Sequence, residues 1–273
     1  VAGIDSNAII SGITLEASTS KLSSLSVTSS TLNAGAINVT GNISITNSST
    51  GSINGVISDG STTSLTKDGS GTLTLGAANL YTGLTTVTAG TLTEGIANAL
   101  SSGALTVNGG TFNIGAYSDT VGAVTIGTSG GTISGTTGVL TGTSYTFNNT
   151  TTATVSAKLG GSTVGLTQAG SGTTTLSADN TYTGVTTINA GTLSVATIGN
   201  GGVAGNLGQA TNAASNIVIG GGTLQYTGST ASTDRAFTLT ASTTGTIDVT
   251  QSGTTLTISG ASANTTGALT KIG

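Results

Sequence analysis

The stretch LTKDGSGTLTLGAANLYTGLTTVTAGTLT, Leu65 to Thr93, decides the fold, because a second version of it follows 101 residues later. That version, Leu166 to Ser194, reads LTQAGSGTTTLSADNTYTGVTTINAGTLS. Glycines, aliphatics and the corner residues coincide: Gly69/Gly170, Gly71/Gly172, Leu75/Leu176, Asn79/Asn180, Tyr81/Tyr182, Gly83/Gly184, Val87/Ile188, Gly90/Gly191 and Leu92/Leu193. The final residues, Leu269-Thr270-Lys271-Ile272-Gly273, match the opening of both copies. Self-similarity at a fixed period is the mark of an array in which each unit buries its core only against its neighbours. We therefore expect one continuous domain, 1–273, with repeats at 65–94 and 166–195 and a third beginning at 269–273.

Within the repeat, Thr72, Leu73, Thr74 and Leu75 alternate, putting the two leucines on one face and the two threonines on the other. Ser23–Thr28, Ala36–Ile45, Ala104–Val107, Ala123–Ile126, Phe237–Leu239, Thr246–Val249 and Thr255–Ile258 alternate in the same way. Threonine, valine and isoleucine suit strands, and Gly-Gly, Asn-Gly, Asp-Gly and Ser-Gly pairs supply turns between them. No window has apolar residues at helical spacing; Ile96–Leu100 is the best candidate, for one turn at most. The spacing predicts an all-β chain with Leu73, Leu75, Val87, Leu92, Leu176, Ile188 and Leu193 inward.

Short, evenly spaced strands can build a sandwich, a barrel or a solenoid. Three phenylalanines and five tyrosines are too few to fill a wide sandwich, whereas a thin prism of Val, Ile, Leu and Ala needs no more. Three strands plus turns give roughly 20–25 residues per coil, hence about twelve coils. At about 4.8 Å per coil the rod would be on the order of 55–60 Å long.

Composition narrows function. Charged residues are 5% of the chain against about 25% in ordinary domains, yet mean hydropathy is +0.27, which argues against disorder. The net charge is −4, and Lys21, Lys67, Lys158, Arg235 and Lys271 are scattered, so no basic cluster exists for nucleic acid or anionic membrane. No apolar run reaches a transmembrane length. Cysteine and methionine are absent, which removes disulfide and thiolate chemistry and suits a chain living outside the cell.

The string Gly69–Leu92, with its partner Gly170–Leu193, resembles the passenger-associated transport repeat of bacterial autotransporters: a Gly-Ser-Gly, a TLTL strand, an Asn-x-Tyr-Thr-Gly corner, a TTV strand and an AGTL strand. Leu105–Gly115 and Gly221–Leu239 resemble such passengers in style. The resemblance implies a right-handed parallel β-helix at or released from a bacterial surface. Nothing here resembles the translocator barrel, which needs longer strands and aromatic girdles.

Candidate chemistry is sparse. Without histidine, no base stands ready for a serine nucleophile. The acids are Asp5, Glu16, Asp59, Asp68, Glu94, Asp119, Asp179, Asp234 and Asp248. A glycosidase needs a carboxylate pair about 5–10 Å apart. Asp234 and Asp248 are the candidate couple, with Arg235 at their corner, although a solvated STDR turn explains them as well. Gly201–Asn206 approaches a calcium nonapeptide but has Asn where Asp is required. Gly199–Gly208 lacks the lysine and frame of a phosphate loop and reads as a loop. The Asn-Xaa-Ser/Thr triplets at Asn38, Asn42, Asn47, Asn148, Asn149 and Asn264 fit chance in so Asn- and Thr-rich a chain.

Thr-x-Thr pairs at Thr72/Thr74, Thr91/Thr93, Thr238/Thr240 and Thr255/Thr257 raise an ice-binding alternative, set against pairs that do not recur at one coil spacing. The expectation is a non-catalytic structural or adhesive surface solenoid with no catalytic, metal or cofactor residues. Its partners are further coils, end to end within one chain or between copies, and a host or neighbouring cell surface or its glycans; no nucleic acid binds and this segment does not insert into a membrane. The N-terminal run Ile9–Leu15 and the C-terminal Gly267–Gly273 look uncapped. Lacking His and Cys, the chain should respond weakly to pH between about 5 and 9.

Overall fold

A computed structural model describes residues 25–29, 32–59 and 63–273. Asp5, Glu16, Lys21 and Ile9–Leu15 lie outside these residues, as does the side chain of Asp59. The described chain is nearly all β; its single helical element is one 3₁₀ turn at Ala214–Asn216. Ile96–Leu100 forms turns rather than a helix. Contacts divide the protein into two compact units, Val1–Val124 with Gly131–Thr141, and Thr125–Gly130 with Gly142–Gly273.

In the first unit, Leu25–Ser29, Ile43–Asn47, Leu65–Asp68, Thr85–Val87 and Leu105–Val107 stack in parallel as one sheet. Asn33–Ala34, Gly51–Ile53, Thr72–Leu75, Thr91–Glu94, Thr111–Gly115 and Gly131–Gly135 stack as a second. Ile37–Val39 with Ile57–Asp59, and Asp119–Thr120 with Val139–Thr141, form a broken third face. Thr72, Thr91, Thr111 and Thr132 stand in register, so successive coils take 19, 20 and 21 residues.

The second unit repeats the plan. Tyr145–Phe147, Leu166–Gln168, Thr186–Ile188, Ile217–Ile219 and Thr238–Leu239 make its first sheet. Thr152–Val155, Thr173–Leu176, Thr192–Val195, Thr223–Tyr226, Thr244–Val249 and Ala268–Ile272 make its second. Ala231–Thr233 pairs with Leu256–Ile258 on the third face. Residues 196–216 loop out, so Thr192 and Thr223 neighbour each other although the coil between them takes 31 residues. The described residues form a parallel β-solenoid of about eleven turns, in keeping with the roughly twelve expected of the whole chain.

Alternation sets the packing. Thr72–Leu75 and Leu65–Asp68 alternate half-buried with buried positions, and Leu73, Leu75, Val87, Leu92, Leu176, Ile188 and Leu193 are all fully buried. Ala36–Ile45, which alternates as one run, is two strands, because Thr40–Asn42 turns the corner. The final repeat opening behaves differently from its precursors. Leu65–Asp68 and Leu166–Gln168 lie in the first sheet, whereas Ala268–Ile272 lies in the second, beside Thr244–Val249 and exposed throughout. Residues 259–267 take the first-sheet path instead, with the Ala263 amide donating to the Phe237 carbonyl at 3.3 Å, and Leu269 arrives one corner late.

Candidate functional site

The repeated residues form a structural corner rather than a reactive one. Asn79 is buried; its Oδ1 accepts from the Ile57 amide one coil back at 2.7 Å, and its Nδ2 donates to the Ala99 carbonyl one coil forward at 2.6 Å. Asn180 does the same between the Leu159 amide (2.8 Å) and the Asn206 carbonyl (2.9 Å). A side-chain amide is needed here because it offers acceptor and donor together. Tyr81 and Tyr182 are fully buried beside them, and their hydroxyls meet Thr85 Oγ1 at 2.7 Å and Thr186 Oγ1 at 2.8 Å. Burial raises both tyrosine pKa values above the ordinary one.

The third residue of the repeat is a buried donor. Lys67 is fully enclosed, and its Nζ donates to the carbonyls of Asp68 (2.7 Å), Gly69 (2.9 Å) and Ala89 (3.3 Å). Burial lowers its pKa, and nearby Asp68 opposes that shift. In the second copy Gln168 Nε2 reaches the Gly170 carbonyl at 2.9 Å. A neutral amide thus does the lysine's work. Lys67→Gln is therefore expected to change unfolding free energy by less than about 1 kcal/mol, while Lys67→Met, which strips donors from three carbonyls, costs about 2–3 kcal/mol. Urea unfolding compares the two; equal losses would refute the equivalence of Lys67 and Gln168.

The candidate carboxylates belong to different faces of the second unit. Asp234 follows the third-face strand Ala231–Thr233 and accepts from the Gly201 amide at 2.7 Å and from Asn212 Nδ2 at 3.4 Å. Asp248 lies in the second sheet, where its Oδ2 accepts from Gln225 Nε2 at 2.9 Å. The solvated STDR turn is also corrected, because Arg235 is 2% exposed. Its Nε donates to the Gly199 carbonyl at 2.9 Å, and its Nη2 to Gly208 at 2.8 Å and Val203 at 3.3 Å, so the guanidinium pins the Gly199–Gly208 loop from inside. Burial lowers its pKa.

The other polar signals are absorbed in the same way. Asn206, the mismatch in the calcium-like string, is buried; its Nδ2 donates to the Ala178 carbonyl and its Oδ1 accepts from the amides of Ala196 and Thr197. Asn47 and Asn149 are fully buried corner residues whose amides donate to the carbonyls of Thr72 and Thr173 in the next coil, so neither is an accessible glycan acceptor. Asn42, Asn148 and Asn264 are exposed. No three His, Cys, Asp or Glu side chains cluster among the described residues.

Two acids that the sequence leaves among nine scattered ones meet inside the first unit. Glu94 is 2% exposed and Asp119 3%. Asp119 Oδ2 accepts from the Leu100 amide at 2.8 Å and Oδ1 from its neighbour Thr120 at 2.6 Å. Glu94 faces Asp119 and lies near the Leu100 amide, but neither of its buried oxygens has a partner in good hydrogen-bond geometry among the described residues. Burial foremost raises both pKa values, and the facing carboxyl raises that of Glu94 further. Two carboxyls buried without a paired cation bear directly on the expected indifference to pH, which follows only from the absence of His and Cys.

Single threonines form columns, although the Thr-x-Thr pairs as such do not recur coil after coil. In the first unit Thr72, Thr91, Thr111 and Thr132 stand side by side on the outer face of the second sheet. In the second unit Thr152, Thr173, Thr192, Thr223, Thr246 and Thr270 do so. Coil lengths vary, which hides the column in the linear chain. The neighbouring column is mixed, running Thr74, Thr93, Asn113 and Ser134 in the first unit and Thr154, Thr175, Ser194, Gln225 and Asp248 in the second.

Comparison with known proteins agrees with this geometry. The passenger-associated-transport-repeat family model matches residues 65–93 and 166–195. The adhesin BmaC autotransporter of Brucella suis biovar 1 (strain 1330) is 46% identical over 86 residues, covering 32% of this chain and 2% of that relative. The chain thus spans a small fraction of the relative's length. No solved structure matches it. At residues 65–93 and 166–195 the chain is thus similar to the passenger repeats of bacterial autotransporters, and the parallel solenoid in which both copies lie agrees with that similarity.

Proposed function

We propose that this segment is a non-catalytic adhesive shaft, which presents uncharged hydroxyl faces to a neighbouring surface and continues end to end into further coils. The threonine columns carry the reading: in each unit the same short, β-branched donor-acceptor recurs in every second-sheet strand from Thr72 or Thr152 onward. Such a face can satisfy polar partners without desolvating a charge. The name of the BmaC relative, an adhesin, supports the same direction. End-to-end stacking is supported by an open, mostly apolar recess of about 250 Å³ lined by Phe237, Ile247, Val249, Leu256, Ile258 and Leu269, with Lys271 beside them. Uncovered core of this kind is what a further coil buries.

Display of the chain on a non-adherent bacterium tests the adhesive part. Binding to abiotic or host-cell surfaces should rise above the undecorated cell and fall when Thr91, Thr111 and Thr132 are replaced together by Lys. The Asp234→Asn/Asp248→Asn double variant should bind as the parent does. Display without any gain in binding overturns the proposal, and so does loss of binding in the aspartate variant. Sedimentation tests stacking: a chain that remains monomeric at high concentration rules out assembly between copies.

A further inference from the structure

Glu94 occupies a position that neighbouring coils fill with apolar groups, and Asp119 stands in register with one. Glu94 ends the strand Thr91–Glu94 and lies in register with Leu75 of the preceding coil. In the second copy the same place is Val195, in register with Leu176 and Tyr226. Asp119 stands in register with Leu140 on the third face. A carboxyl in a core column is costly when charged, because it loses its water and gains nothing unless a cation or donors replace it. Asp119 accepts from two backbone amides in good geometry, whereas Glu94 has only the nearby Leu100 amide, outside that geometry, to oppose its burial, so Glu94 is the member that holds a proton. Tyr81, fully buried and bonded to Thr85, is the titratable group that faces both, and among the described residues no lysine or arginine is paired with either acid.

Asp119 also does part of the repeat asparagine's work. Its Oδ2 takes the Leu100 amide of the coil before, just as Asn79 takes Ile57 and Asn180 takes Leu159. The corner Gly95–Ser101 is thereby tied to the next coil through an acid where the other corners use an amide. We propose that Glu94 and Asp119 form a proton-dependent clasp, which holds the Gly95–Ser101 corner against the solenoid when the pair keeps a proton and loosens it when both carboxyls ionise. The released proton passes to solvent, and two like charges are left facing each other in a dry corner.

The folded pair retains a proton that the unfolded chain gives up above the ordinary carboxylate range. Stability from this source is therefore complete in acid and falls as pH rises towards the folded-state values. Each retained proton raises the unfolding equilibrium constant about tenfold per pH unit across that interval.

The test is urea unfolding of the full chain between pH 5 and 9, beside Glu94→Val, which installs the residue of the second copy, and Asp119→Asn, which installs the amide of the other corners. The parent should lose stability steadily across the range, and both variants should be flatter by at least tenfold in unfolding constant from end to end. Carboxyl carbon NMR on the unsubstituted chain gives a readout independent of how the variants fold: Glu94 should titrate above pH 7. Parallel pH curves for parent and variants, or a Glu94 carboxyl that titrates in the ordinary range near 4.5, would overturn the clasp.

Discussion

Gly191→Ala is expected to destabilise the second unit by about 3–5 kcal/mol, one of the largest losses any single methyl can cause in this chain. The glycine adopts φ +56, a left-handed conformation that costs an alanine about 1–2 kcal/mol by itself. The added Cβ would also stand 2.3 Å from the Gly172 carbonyl oxygen and 2.4 Å from that of Gly170. Those oxygens are backbone of the preceding coil, so no rotamer change relieves the contact. Gly90 repeats the geometry at φ +60 against the carbonyls of Gly71 and Gly69, and Gly90→Ala should behave alike in the first unit. Gly202→Ala separates the two causes: its φ is +80, but nothing lies within 4 Å of the added carbon, so only the conformational cost of about 1–2 kcal/mol applies. Equal losses at Gly191 and Gly202 in urea unfolding would show that the close approach of coils contributes nothing.

The repeat made the fold legible because its period and its alternation agree. Leu73 and Leu75 alternate with threonine, Leu75 recurs as Leu176 while Thr174 takes the place of Leu73, and all four are buried in stacked parallel strands. What could not be read was register. Coils of 19, 20 and 21 residues, and one stretched by the 196–216 loop, move equivalent threonines to uneven intervals along the chain. The column is a property of the sheet and appears only when strands are laid side by side.

Polar residues were harder for a related reason. Arg235 reads as part of a solvated turn, yet it is buried, as are Lys67 and Asn149, and each spends its donors on backbone carbonyls. In a solenoid every corner leaves carbonyls that the sheet ladders do not use, and buried ones need partners. A signal for this was present: Lys67 and Gln168 share a position, and the property common to them is a long reach ending in a donor rather than a charge. Glu94 opposite Val195 carried a similar signal, a carboxyl where the aligned copy has a core aliphatic. Its meeting with Asp119 depends on the third face and had no counterpart along the chain.

Asn180→Ala should cost about 2–5 kcal/mol, because it leaves two buried backbone groups on different coils without partners. The Leu159 amide loses its acceptor and the Asn206 carbonyl loses its donor, while the methyl that replaces the side chain fills little of the corner. Asn79→Ala strips the Ile57 amide and the Ala99 carbonyl in the same way and should lose as much in the first unit. Asn180→Asp is the informative partner variant. It keeps an acceptor for Leu159 but turns an oxygen towards the Asn206 carbonyl, where only a protonated acid can donate. Its folded pKa should then be raised, so that the variant is closest to the parent in acid and weakens as pH rises. The variant thus places an acid at a corner of the kind where Asp119 accepts the Leu100 amide, but without a second carboxyl facing it. If Asn180→Asp were as stable at pH 8 as at pH 5, an acid at this position would not sense pH, and the stitch between coils would rest on the acceptor alone.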